Sequence, residues 1–130
     1  MLTDDELLAR FEDGSLPRDA FHHEQHVHVA WMFVRRDGMP DALGRFSRAL
    51  KRFAESKGTP GLYHETITWA YLLIIGERMA RAPADTWREF AAANRDLLTW
   101  KPSLLDRYYA AGTLSSALAR RAFLMPDRVE

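Results

Sequence analysis

Tyr63-His64-Glu65-Thr66-Ile67-Thr68-Trp69-Ala70-Tyr71-Leu72-Leu73-Ile74-Ile75-Gly76-Glu77-Arg78-Met79-Ala80-Arg81 is the stretch on which the fold turns. Between Ile67 and Ile75 it has hardly any polar side, and a helix that is apolar all round belongs in the middle of a domain. Its longest apolar run, Trp69 to Gly76, is about half of what a bilayer requires, so the segment predicts a core helix and not a membrane span. Such a helix needs neighbours with one apolar stripe each, and the rest of the chain supplies them.

Upstream, Thr3 and Glu6 have capping-box spacing, Leu7, Leu8 and Phe11 form a stripe, and Asp13-Gly14 ends a short first helix. After a connector from Leu16 to Phe21, a second helix starts near His22 or His23 and runs to about Arg36, stopped by Asp37-Gly38. Pro40-Asp41 opens a third, with Leu43, Phe46, Leu50 and Phe53 at helical spacing, and Arg45, Arg48, Lys51, Arg52 and Glu55 on a solvated face. Gly58, Pro60 and Gly61 close it. Downstream, Asp85 or Thr86 with Glu89 caps a fifth helix carrying Trp87, Phe90 and Ala91, Ser103 with Asp106 starts a sixth, and Thr113 to Ala122 forms a seventh. No convincing strand, repeat or linker interrupts this pattern. The expectation is a single all-α domain over residues 1–130, a compact bundle of about six or seven helices around the central apolar helix at about 63–81.

Composition narrows the function. The chain has 130 residues, 47% hydrophobic and 28% charged, which suits one domain with a core large enough to fold without disulfides or a structural metal. Eighteen basic residues balance eighteen acidic ones, so no overall field favours nucleic acid or an anionic membrane. The absence of cysteine removes thiolate chemistry and suits a cytoplasmic protein, and the acidic start MLTDDELLAR lacks the basic region of a signal peptide.

Histidine is where chemistry concentrates. Of five histidines, His22, His23, His26 and His28 fall within seven residues, and the fifth is His64. On a wheel of about 100° per residue with His23 at zero, Val34, Val27 and Ala30 cluster around it and His26 lies about 60° to one side. His22 falls at the border of the stripe, and His28 points largely away with Met32 and Arg35. The same construction aligns His64 with Thr68, Tyr71 and Ile75 on one inward strip. Two imidazoles from one helix face and a third from the start of a neighbour are the ingredients of a three-histidine metal site, with His23, His26 and His64 as ligands. Without thiolates the ion would be a divalent transition metal, Zn, Fe, Cu or Ni: zinc to activate water, iron or copper for oxygen chemistry. Glu65, Glu24 and Tyr71 are the candidates for acid/base work or for fixing an imidazole's tautomer. The two glutamates equally suit ordinary first-turn positions favoured by the helix dipole. Neither His23-Glu24-Gln25-His26 nor His64-Glu65-Thr66-Ile67-Thr68 completes HExxH, so the zincin motif is absent. Thr68 could offer a substrate a hydroxyl, and Arg78, a guanidinium on an apolar helix, needs an anion, either a carboxylate or a substrate.

Phe21-x-His23-x-x-His26-x-x-x-Ala30-Trp31, followed by Tyr63-His64-Glu65-Thr66-x-Thr68, resembles the pattern of a family of small, uncharacterised bacterial helical proteins, and the likeness extends loosely from Leu16 to Asp127. The resemblance implies that His23, His26, His64 and Glu65 are pattern positions and that His22 and His28 are not; it brings no activity with it. The three histidines are also similar to those of DinB-like metal-dependent proteins at the level of fold only, because the ligand spacing differs. Three functions are compatible with the sequence: a metal-dependent enzyme acting on a small molecule; a metal-free pocket for a small anionic or aromatic ligand anchored by Arg78; and an interaction domain using the basic helix from Asp41 to Lys57. Each allows a homodimer through an exposed helix face.

Overall fold

The computed structural model describes residues 2–128. It contains six α-helices: α1 (Asp4–Asp13), α2 (His23–Asp37), α3 (Asp41–Ser56), α4 (Glu65–Arg81), α5 (Trp87–Ala93) and α6 (Ala117–Arg121). Short 3-10 turns at Arg18–Ala20, Pro60–Leu62, Arg95–Leu97 and Leu104–Arg107 connect them, and no strand occurs among the described residues.

Local chemistry sets the helix ends. Thr3 Oγ1 accepts the Glu6 N–H at 3.1 Å while Glu6 Oε1 accepts the Thr3 N–H at 3.1 Å, so two orphan donors of α1 are satisfied reciprocally. Gly14 ends the helix at φ 80°, a left-handed conformation that a side chain would strain. Thr86 caps α5 by accepting the Glu89 N–H at 3.1 Å.

α2, α3 and α4 pack on one another, with α1 against α2 and α3 and α6 against α4. Phe11 of α1 lies 5.0 Å from Phe21, 5.8 Å from Phe46 and 5.3 Å from Phe53, ring centre to ring centre, and joins three elements in one aromatic cluster. α4 is flanked on three sides as its apolar sequence requires, although Leu73 on its outer side is 42% exposed. α2 is buried still more completely: every residue from Val29 to Val34 belongs to the core. The face carrying His28 and Met32 is therefore not a solvent face. It packs against α1 and α5, where His28 Nε2 meets Asp4 Oδ1 at 3.0 Å and its ring stacks on Trp87 at 4.3 Å.

The last third departs from the expected sixth and seventh helices. Leu104–Arg107 forms only a 3-10 turn, and α6 begins at Ala117 instead of Thr113. Asp127 accounts for part of this. Its carboxylate accepts the Ala110 N–H at 2.8 Å and the Thr113 hydroxyl at 2.7 Å, holding the chain in turns where local spacing alone would allow a helix. Ser116 then caps α6 through the Ala119 N–H at 3.1 Å. No helix is long and apolar enough to cross a membrane among the described residues.

Candidate functional site

The beginnings of α2 and α4 face one cavity of about 490 Å³, closed on the other sides by the end of α3, the loop at Trp100 and Arg120 of α6. That volume is within the roughly 300–1,000 Å³ of small-molecule sites. Its wall is apolar for the most part, with Phe21, Val27, Leu50, Phe53 and Ile67 prominent. Five of the residues singled out in the sequence line it: His23, His26, His64, Thr68 and Tyr71.

The imidazoles differ in what remains available to a ligand. His64 is the N-cap of α4, and its Nδ1 accepts the Ile67 N–H at 3.1 Å. Its Nε2–H donates to the Leu114 carbonyl at 2.7 Å, so both nitrogens are occupied and one neutral tautomer is fixed. Burial, reinforced by Arg120, keeps it from protonating at its ordinary pH. His23 donates from Nε2 to the Leu97 carbonyl at 2.8 Å, which leaves Nδ1 as an acceptor. Its ring stands edge-on to Tyr71 at 5.1 Å and beside Trp100 at 4.9 Å. His26 lies against Phe21 with ring centres 3.9 Å apart and has no hydrogen-bond partner among the described residues. Burial, followed by the neighbouring His23 and His22, pushes it down to about 4, so it is neutral at pH 7. A general base works best with a pKa near the working pH, which makes His26 a better neutral hydrogen-bonding group than a proton acceptor.

Tyr71 and Thr68 are both buried on the His64 strip, as the wheel places them. The Tyr71 hydroxyl shares a 3.0 Å hydrogen bond with Ser103, and burial raises its pKa. Glu65 does not line the cavity. It lies behind Tyr63, which does, and accepts that hydroxyl at 2.5 Å, with Lys51 Nζ at 4.0 Å. Glu24 is exposed on the first turn of α2. Arg78 is also outside the cavity: Asp96 takes its guanidinium through two bonds of 2.6 and 2.8 Å, and Asn94 adds a third at 3.1 Å. The anion that Arg78 requires is thus a carboxylate of the protein.

The sequence reading missed Arg18, Lys57, Arg120, Tyr63 and Trp100, all of which line the cavity. They come from five separate segments, and only the fold assembles them. Lys57 and Tyr63 flank Pro60 and Trp100 lies two residues before Pro102, but nothing in the sequence marks Arg18 or Arg120.

No group of three or more His, Cys, Asp or Glu side chains is arranged to hold a metal ion among the described residues. The chain matches no family model, no curated protein and no solved structure.

Proposed function

We propose that the cavity is the binding site for one small, mainly apolar molecule and that His26 is a polar group of its wall to which such a molecule bonds. The observation that carries this reading is the imidazole of His26, bonded to no protein group, in the wall of a largely apolar space of about 490 Å³. His26 is half-buried and bonds to no protein group, so a ligand can take a hydrogen bond there without displacing one that the fold already makes. A three-imidazole metal centre asks for more rearrangement. His64 would have to release either the first turn of α4 or the Leu114 carbonyl to bind an ion, whereas a small molecule takes the site as it stands.

The neutral fluorophore N-phenyl-1-naphthylamine tests this directly. Its emission should rise and saturate at one equivalent, and Ile67→Trp, which adds bulk to a half-buried wall position, should abolish the rise while far-UV circular dichroism stays unchanged. No saturable emission, or equal emission with the filled variant, overturns the reading. So does one tightly held equivalent of zinc that disappears in both His26→Ala and His64→Ala, because that result restores the metal centre.

A further inference from the structure

Resting on the reading of the cavity as a small-molecule site, we infer that its ligand is an organic oxyanion: an apolar body that fills the cavity and one anionic head group held at the rim by Arg18, Lys57 and Arg120. All three cations line the cavity, and no aspartate or glutamate does. Five arginines elsewhere pair with carboxylates, Arg36 with Glu12 and Asp37, Arg45 with Asp37, Arg78 and Arg107 with Asp96, Arg81 with Glu77, while others on exposed helix faces, such as Arg48 and Arg52, pair with none among the described residues. The cavity cations have no such partner within 4.0 Å among the described residues. Lys57 Nζ instead donates to the Gly14 carbonyl at 2.8 Å and Arg120 to the Gly61 carbonyl at 2.8 Å, contacts that position the charge without neutralising it. Asp13 is close enough to Lys57 to feel its charge, but its carboxylate is engaged by the Ser15 N–H at 2.7 Å.

Helix ends add to this field. The first turns of α2 and α4 both line the cavity, through His23, His26, Ile67 and Thr68, and helix N-termini carry positive partial charge. The C-terminal turn of α3 brings the opposite sign, and Lys57 sits at that end. The chain has zero net charge, so the positive excess at the rim is local. The neutral imidazoles below it offer hydrogen bonds without adding charge.

A matched pair of probes separates the two readings. 1-Anilinonaphthalene-8-sulfonate carries nearly the same rings as N-phenyl-1-naphthylamine plus one anionic group. At low ionic strength it should bind about tenfold more tightly, as expected for a few partly screened charge contacts, and the gap should narrow at high salt. Arg18→Gln, Lys57→Gln and Arg120→Gln should each reduce the ratio of the two affinities, and together remove it. Displacement by 1-naphthoate and by 1-naphthyl phosphate then shows whether the rim prefers a carboxylate or a phosphate ester. Equal affinity for the charged and neutral probes, or a ratio that survives all three replacements, overturns the oxyanion and leaves the cavity reading intact. Binding of neither probe overturns both.

Discussion

Acid should destabilise this protein through His26, well above the pH at which carboxylates titrate. The unfolded chain takes up a proton at this residue near 6.5 and the folded chain only near 4. Between those values the unfolded state binds more protons, so stability falls as pH falls; below about 4 both states are protonated and the loss stops growing. At about 1.4 kcal/mol per pKa unit, moving from pH 7 to pH 5 removes about 2 kcal/mol at this one site. Replacing the ring by His26→Phe keeps an aromatic against Phe21 and removes the proton site. Urea unfolding followed by circular dichroism at pH 7 and pH 5, for both proteins, gives the comparison. The wild type should lose about 2 kcal/mol more than the variant over this interval. His23, His28 and His64 are also held below their ordinary values by burial, so they contribute the same sign to both proteins and cancel in the difference. Equal losses in the two proteins, or an NMR titration placing His26 near 6.5, would refute the account of a desolvated imidazole.

Two further substitutions test the surroundings of the site. Arg78→Met breaks a partly buried, two-bonded pair with Asp96 and should cost about 1–2 kcal/mol in chemical denaturation. It should leave neutral-probe affinity within about threefold, and a larger change would mean that Arg78 reaches the ligand. Thr66→Val removes a buried hydroxyl that donates to the Ala122 carbonyl at 2.7 Å and accepts the Leu124 N–H at 3.1 Å. About 2 kcal/mol should be lost, and hydrogen exchange should quicken at Leu124 before it does in α4. Uniform acceleration along the chain would contradict a local role for Thr66 in tying down the C-terminal segment.

Helices whose ends are set by neighbouring residues were legible in the sequence. Thr3 with Glu6, Gly14, and Thr86 with Glu89 mark the ends of α1 and α5 because capping acts over three or four residues. Leu104, Leu105, Tyr108 and Tyr109 have helical spacing too, but what holds their region in turns is Asp127, near the other end of the segment. The same distinction governs the site. A wheel places His64, Thr68 and Tyr71 on one buried strip, yet it carries no information about the Leu114 carbonyl, fifty residues away, that occupies His64 Nε2. Nor does it pair Arg78 with Asp96.

Charge distribution completes the physical argument for a binding site. A balanced composition excludes a long-range field over the whole chain, but it does not constrain how charges are sorted once the chain folds. Here Arg36, Arg78 and Arg81 find carboxylates on or between the helix faces, while Arg18, Lys57 and Arg120 meet around a space that no carboxylate lines. If the histidines beneath them were protonated at neutral pH, up to three more positive charges would repel one another inside a largely apolar wall. Burial prevents this by lowering all three pKa values, and the bonds to Leu97 and Leu114 fix His23 and His64 in the neutral tautomer that donates from Nε2. The positive charge is thereby confined to the solvent-facing rim, where water makes it inexpensive to maintain, and the interior keeps the hydrogen-bonding capacity of His26 for a ligand. Acidification works against this separation, since protonating His26 puts charge against a largely apolar wall and weakens the fold that forms the cavity.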